Sequence, residues 1–453
     1  MKIVIEGAGE VGSHLAKMLR EESNDVVVID DDAKRINRLT SFADVETILG
    51  DPSSIQILRS AGVDKADLYI AVYPFAAQEV NIVGAILAKH LGASKVIARI
   101  NDEEYLTPEN KLMFKELGIE LMFYPEKNAA DEIVGQLKHA MAAETLDFAR
   151  GKLKIAVFKV DENSQLLDLK LSEFMAMLKP GEADLFRIIA VNRDERTIIP
   201  GPSTKFMFGD LLYTVSREDG TDVIADYLGK GRVEVKSVMI FGGGAIGAMV
   251  ASSLSRQGIE VKIIENDKDR CIELTEKLPD TVQIVNGDGR NSDFLFEEGI
   301  ADYDAFLALT PGDETNVLAC VVAKKFGVMR TIAEVENIEY IRLAEEMGVD
   351  SVINKKLIMA GRIFKFTLSG RARFVKYMTD SRAEVIEYTV APGSAVTKSP
   401  IKDIKFPQDA IIAGVIRGSE AIIPVGDTCI EAYDRVAVFA LPQSAAEVDK
   451  LFV

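Results

Sequence analysis

The chain opens Ile3-Val4-Ile5-Glu6-Gly7-Ala8-Gly9-Glu10-Val11-Gly12, an apolar run that ends in G-x-G-x-x-G. The arrangement returns 235 residues later, where Val238-Met239-Ile240-Phe241 runs into Gly242-Gly243-Gly244-Ala245-Ile246-Gly247. A strand, this glycine turn and then a helix open a dinucleotide-binding fold. The first glycine permits a tight turn, the second lets the backbone approach a diphosphate, and the third lets helix and strand pack closely. The helix N-terminus adds unpaired N–H groups and partial positive charge. One such motif is weak. Two in the same context within 453 residues predict a duplication with a nucleotide site in each half.

A second determinant should stand about 20 residues further on, where an acid at the end of the second strand takes the ribose hydroxyls. Val28-Ile29-Asp30 supplies Asp30, and Ile263-Ile264-Glu265 supplies Glu265, again 235 apart. A carboxylate there repels a 2′-phosphate, so NAD(H) or another unphosphorylated adenosine ribose is expected over NADP(H). After the third strand both halves carry Gly-Asp, as Gly50-Asp51 and Gly287-Asp288. At the C-terminal edge of a sheet such an Asp could accept from an adenine amino group. Helix capping is the competing role, since Pro52 follows Asp51 at an expected helix start.

Outward from the turns, short β-branched runs alternate with longer amphipathic stretches. The first half reads as strands Ile3 to Ile5, Val26 to Ile29, Val45 to Leu49, Leu68 to Val72 and Val96 to Ala98. The second repeats them as Val238 to Phe241, Val261 to Ile264, Gln283 to Val285, Phe306 to Leu309 and Thr331 to Ala333. Apolar strands between helices indicate a parallel sheet covered on both faces. Tyr105 matches Tyr340 at offset 235 but Gly118 matches Gly348 at 230, so the first copy is longer by five residues there. Glu126 to Leu146 reads as one long helix after Pro125. Leu153 to Ser216 and Ala383 to Ala440 then read as short strands with turns and one short helical piece each. A polar linker, Gly229-Lys230-Gly231-Arg232, leads into the second half.

The expected fold class is therefore α/β: two Rossmann-like doubly wound parallel sheets, each followed by a small α+β lobe. The boundaries fall at 1–125 for the first nucleotide-binding lobe and 126–228 for a crossover helix with the first small lobe. The second lobe takes 237–352, and a connecting helix with the second small lobe takes 353–453.

Composition narrows the function classes. The formal charge of −18 opposes nucleic-acid binding, which needs concentrated Lys and Arg, and opposes adhesion to an anionic membrane surface. Cys271, Cys320 and Cys429 are far apart and lack C-x-x-C spacing, so neither disulfides nor a zinc site is expected and the cytosol is the default. No signal peptide is expected from the N-terminal pattern. The uncharged run Ser237 to Ser255 has the length of a membrane span, but its central glycines fit a strand, turn and helix.

Taken together, the two glycine turns, Val28-Ile29-Asp30, Ala98-Arg99-Ile100, Gly287-Asp288 and Ala308-Leu309-Thr310-Pro311-Gly312-Asp313-Glu314-Thr315-Asn316 are similar to the TrkA family. These are regulatory subunits of Trk-type potassium uptake built of two RCK (regulator of potassium conductance) modules, each an RCK N-lobe and C-lobe. The resemblance spans the whole chain. It implies a cytoplasmic homo-oligomer, a ring or tetramer, docked at the inner face of the membrane beneath a potassium channel subunit and not inserted in the bilayer. It further implies binding of NAD(H) and of ATP or ADP, with the nucleotide biasing channel opening, and no enzymatic activity. Carried residue by residue, Gly7, Ala8, Gly9, Glu10, Val11, Gly12, Asp30 and Asp51 would hold the first ligand, with Arg99 on a phosphate. Gly242, Gly244, Ala245, Ile246, Gly247, Glu265, Asp288 and Thr310 would hold the second.

The copies depart from each other. Tyr73 stands for Thr310, and two extra residues precede the shared Asn81, so Tyr73 is a contact of a differently shaped pocket. Glu334 stands where the first half has Arg99, and Asn101 replaces the family's second basic residue. Unequal ligands are expected.

The alternative from another class is an NAD-dependent oxidoreductase, which needs a positioned acid or base. Only His14, His90 and His139 exist, none with a partner suggested by the sequence, and His14 aligns with Met249 on a helix face. Cys320 reads as core filling. No nucleophile triad, metal-ligand set or P-loop is visible, so the switch reading is preferred.

Overall fold

The structure, a computed structural model, describes residues 1–21, 24–73, 78–138, 144–148, 152–194, 196–217, 220–230, 235–364, 372–377 and 383–452. His139, the inserted stretch 74–77 and the linker positions 231–232 lie outside these. The chain divides into two compact units, one of Met1–Ala129 with Lys355–Thr367 and one of Ala130–Asn354 with Leu368–Val453.

The first large lobe runs β1 (Lys2–Glu6), α1 (Glu10–Glu21), β2 (Asp25–Asp30), α2 (Ala33–Thr40), β3 (Glu46–Leu49) and α3 (Ile55–Ser60). It continues through β4 (Leu68–Ala71), α4 (Gln78–Leu91), β5 (Lys95–Arg99), α5 (Pro108–Glu116), β6 (Leu121–Phe123) and α6 (Pro125–Lys138). All its strands are parallel, in the order β3-β2-β1-β4-β5-β6. The chain reverses its direction of winding between β1 and β4, and a crevice opens there at the C-terminal strand ends. Ile3, Val4, Ile5, Ile70 and Ile97 are fully buried in this sheet. Local signals start the helices: Asp32 accepts from the Lys34 N–H ahead of α2, and Thr107 accepts from Asn110 with Pro108 leading α5.

The first small lobe comprises β7 (Glu144–Phe148), β8 (Leu153–Lys159), α7 (Leu171–Met177), β9 (Phe186–Arg193), β10 (Arg196–Ile198), β11 (Leu211–Arg217) and α8 (Gly220–Tyr227). The long helix expected to Leu146 is seen over Pro125–Lys138, and positions 139–143 lie outside the described residues. Glu144, Thr145 and Leu146 instead pair with Val157, Ala156 and Ile155 as an antiparallel strand. Their helix propensity is overridden by the ladder, as strand context commonly does.

The second large lobe repeats the first: β12 (Ser237–Phe241), α9 (Ala245–Ser255), β13 (Glu260–Glu265), α10 (Lys268–Lys277), β14 (Val282–Asn286), α11 (Ser292–Glu297), β15 (Ala305–Ala308), α12 (Asp313–Lys325), β16 (Arg330–Glu334), α13 (Ile338–Glu346), β17 (Ser351–Ile353) and α14 (Lys355–Phe364). Its order, β14-β13-β12-β15-β16-β17, is the first sheet again. Both sheets thus have a sixth strand beyond the five expected.

The second small lobe follows as β18 (Ala372–Tyr377), β19 (Glu384–Thr389), β20 (Ala410–Arg417), β21 (Glu420–Ile422), β22 (Arg435–Ala440) and α15 (Pro442–Phe452). Both small sheets have five strands, ordered β10-β9-β11-β8-β7 and β18-β19-β22-β20-β21. The helical piece expected within 383–440 is reduced to 3-10 turns at Ala395–Thr397 and Ile401–Asp403. From Val160 to Arg193 the separation is 33 residues, and from the matching Val390 to Arg417 it is 27, so the second copy lacks the length that forms α7. The inner faces of the two small sheets share one core, with the Tyr213 and Phe439 rings 5.3 Å apart.

Candidate nucleotide sites

Each glycine turn is closed in the same way. Gly7 and Gly242 adopt φ of 102° and 109°, in the left-handed region that suits glycine. A Cβ on Gly12 would lie 1.9 Å from the Gly7 carbonyl oxygen, and one on Gly247 would lie 2.1 Å from that of Gly242. The third glycine is therefore required by the turn itself. Gly244 differs: a Cβ there meets no atom within 4 Å. Its openness suits a position kept clear for a diphosphate, at the start of α9 where the backbone N–H groups are unpaired.

The acids expected to take the ribose hydroxyls are placed alike. Asp30 is fully buried, and its carboxylate accepts from the Ala8 N–H at 2.6 Å and from the Asp32 N–H at 2.8 Å. Glu265 accepts from the Gly243 N–H at 2.8 Å and from the Asp267 N–H at 2.9 Å. Each acid ties the glycine turn to the second strand. A carboxylate has about four lone-pair sites, so Glu265 keeps capacity for a ribose hydroxyl, whereas Arg35 Nη1 takes the remaining sites of Asp30 at 3.4 and 3.5 Å.

Sequence reading missed one arginine at each of these acids. Arg35 Nη1 lies 3.4 Å from Asp30 Oδ1, and its guanidinium sits 5.6 Å from the centre of the Tyr73 ring. In the second lobe Arg270 donates to the Gly243 carbonyl at 2.8 Å and pairs with Glu273. Both stand five residues after the acid, so extending the 235-residue register would have found them. A guanidinium beside this carboxylate offsets the repulsion of a 2′-phosphate on which the NADP exclusion rested.

Asp51 and Asp288 are engaged locally. Asp51 Oδ1 accepts from the Ser53 N–H and hydroxyl, and these bonds hold its carboxyl below the usual range. Asp288 is clamped by the Arg290 guanidinium at 2.7 Å, which lowers its pKa likewise. The preceding glycines serve packing: a Cβ on Gly50 would strike Ile57 at 2.6 Å, and one on Gly287 would strike Phe294 at 2.1 Å.

At the fourth strand an asparagine does the same work in both copies. Asn81 accepts from the Tyr73 N–H at 2.7 Å, and Asn316 accepts from the Thr310 N–H at 3.0 Å and its hydroxyl at 2.6 Å. The anchor survives the two-residue insertion. The residue it holds differs: the Tyr73 hydroxyl donates to Asp31, with burial and that bond raising it to about 12.

The fifth strand carries the sharpest divergence. Arg99 Nη2 is 3.0 Å from Glu126 Oε1 at the start of α6, and both side chains are only about a tenth exposed. The predicted phosphate ligand is thus held in a buried ion pair. The matching residues in the second half are Glu334 for Arg99 and, at offset 230, Lys356 for Glu126, so the charges are reversed. Beneath the first turn lies another difference. Glu6 is buried with Tyr69 donating to it at 2.7 Å, and burial raises its pKa well above the usual range. Phe241 and Phe306 fill these places in the second sheet.

Comparison with known proteins follows this duplication. The TrkA-N domain model matches residues 3–125 and again 238–355, and the TrkA-C domain model matches 385–453. The Trk system potassium uptake protein TrkA homolog 1 of Methanosarcina mazei is 32% identical over 461 residues, covering 100% of both chains. The Trk system potassium uptake protein TrkA of Haemophilus influenzae is 31% identical, covering 100% of this chain and 98% of its own. Among solved structures, the GsuK RCK domain has a TM-score of 0.61 at 16% identity, covering 100% of this chain and 94% of that one. The GsuK channel bound to NAD has a TM-score of 0.61 at 17% identity, covering 100% and 78%. The RCK fold is common to them. Matched over both large lobes and related along its full length, the chain belongs to the TrkA family.

Proposed function

We propose that this chain is a cytoplasmic, non-enzymatic regulatory subunit that gates a membrane potassium-uptake channel of the Trk type in response to NAD(H) and to ADP or ATP. The observation that carries this reading is a pair of glycine-turn lobes of one design with opposite charges at the fifth-strand position, Arg99 against Glu334. Two such pockets can hold ligands of different charge, and a ligand shifts a conformational equilibrium only through unequal affinity for its states. The names of the relatives supply the potassium-uptake context, and one structure of the same fold is described as bound to NAD and another as bound to ADP.

In this reading Gly7 to Gly12 with Asp30 and Tyr73 hold the first nucleotide, and Gly242 to Gly247 with Glu265 and Thr310 hold the second. Asp51 and Asp288 line the adenine edge while keeping their local bonds. No described helix is long and apolar enough to cross a membrane, which fits docking onto a separate channel subunit. Homo-oligomerisation, as a tetramer, is favoured by matching exposed apolar residues on the two lobes: Met113 on α5 with Leu117 just past it, and Leu343 on α13 with Met347 just past it.

The test is potassium flux in vesicles carrying a Trk-type channel subunit, with and without this chain, under NADH, NAD, ADP and ATP. Nucleotide-dependent flux that requires the chain is the expected result. Flux indifferent to the chain, or steady NADH consumption with carbonyl substrates, would overturn it in favour of the oxidoreductase alternative.

A further inference from the structure

The first unit contains a helix from the other half of the chain. α14 packs on α1, and Asn128 donates to the buried Met359 sulfur at 3.5 Å. This places Lys356, at the start of α14, against the first glycine turn: its Nζ lies 3.2 Å from Glu10 Oε2. Glu10 is the first residue of α1 and the fourth of the turn Gly7 to Gly12, so Lys356 stands at the helix start, which favours negative charge.

We infer that Lys356 is a phosphate ligand of the first nucleotide site, delivered to it by the second half of the chain. The inference rests on the reading that the Gly7–Gly12 turn takes a nucleotide diphosphate. Three observations support it. The Lys356 side chain is 18% exposed while Glu10 is 52% exposed, so the carboxylate can turn to water at little cost and leave the ammonium facing the helix start. Arg99, the cation expected on a phosphate of this site, is locked onto Glu126 with both side chains about nine-tenths buried, and removing either partner from such a pair is costly. The second turn has Ala245 in place of Glu10, so the exchangeable carboxylate belongs to the first site alone. A lysine suits this exchange, because its compact charge sits on a flexible stem with three rotatable donors. Phosphate would take the place of the Glu10 carboxylate. α14, the segment through which the chain enters the second small lobe, would then be held by the ligand of the first lobe.

Calorimetry on the full chain tests this, in a Glu265→Ala background that mutes the second site, with ADP as the probe. Lys356→Met should weaken ADP binding by about tenfold and flatten its salt dependence, whereas Lys356→Arg should keep affinity within about threefold. On the unsubstituted chain, ADP should slow acylation of Lys356 by an amine-reactive ester, read by peptide mass spectrometry. That second measurement holds even if Lys356→Met fails to fold. Unchanged ADP affinity in Lys356→Met, or an acylation rate indifferent to ADP, overturns the inference. Asp30→Ala separates the two levels. If it abolishes ADP binding while Lys356→Met does not change it, the site stands and the lysine does not. If Asp30→Ala leaves binding intact, the first site itself is misassigned.

Discussion

The two large lobes agree where geometry rules and disagree where charge does. Strand order, positive φ at the first glycine, the Cβ exclusion at the third and the carboxylate tie to the turn are shared. Yet in the second copy Glu334 replaces Arg99, Lys356 replaces Glu126, Ala245 replaces Glu10, Met249 replaces His14 and Phe241 replaces Glu6. A backbone that can approach a diphosphate has few sequence solutions, whereas the charge lining it is free to change. Duplication kept the backbone frame and altered the charges that line it.

The comparison can be broken most forcefully at Arg99. Changing Arg99→Glu leaves Glu126 buried against a like charge and should cost about 3–5 kcal/mol in denaturant unfolding. Adding Glu126→Lys copies the charges of the second half and should recover most of the stability. ADP affinity at the first site should nevertheless stay reduced. Full recovery of both would mean that the charge reversal has no bearing on ligand choice.

Next come the third glycines, where the lobes should behave alike. Gly12→Ala and Gly247→Ala each force a Cβ onto a backbone oxygen and should cost about 2–3 kcal/mol, with loss of nucleotide binding at the altered lobe. A mild effect in one lobe alone would show that its turn relaxes.

His14→Met, which installs the residue of the second copy, should change pH dependence. Burial first, then Lys356 and Lys17, lower the His14 pKa from 6.5 to about 4. The unfolded chain takes up a proton below pH 6.5 while the folded one does not until about 4, so stability is present above that window and lost as pH falls through it. At pH 5 the native chain should have lost about 2 kcal/mol from this group, and the variant should not show that loss. Equal acid sensitivity in both would place the effect elsewhere.

The smallest effect concerns ribose selection. Arg35→Ala removes the cation beside Asp30 and should raise the preference of the first site for NADH over NADPH by about fivefold, since a surface charge contact contributes about 1 kcal/mol. No change would show that Asp30 alone sets the choice.

Much of this was legible in the chain. The glycine turns, Asp30, Glu265 and five strands of each sheet carry strong local signals. The sixth strands, Leu121–Phe123 and Ser351–Ile353, span only three residues each, too few to show a period. Glu144 to Leu146 looked helical because nothing local announces the partner strand Leu153–Lys159. Asp51 and Asp288 showed both possible roles in sequence, and their hydrogen bonds appear only in three dimensions. Lys356 was hidden for a different reason: it lies 346 residues from Glu10, and only the path of α14 brings them together.

That path also bears on how the protein is made. The first lobe is nearly complete at Ala129, yet the helix that covers α1 begins at Lys355. A ribosome adding about 5–20 residues per second needs roughly 11–45 s to traverse the interval. Throughout that time the nascent first lobe stands with the α1 face uncovered and Glu10 without its lysine. Whatever guards the chain during synthesis must guard that face, and a gene split at the linker would yield a first half that never receives its own covering helix.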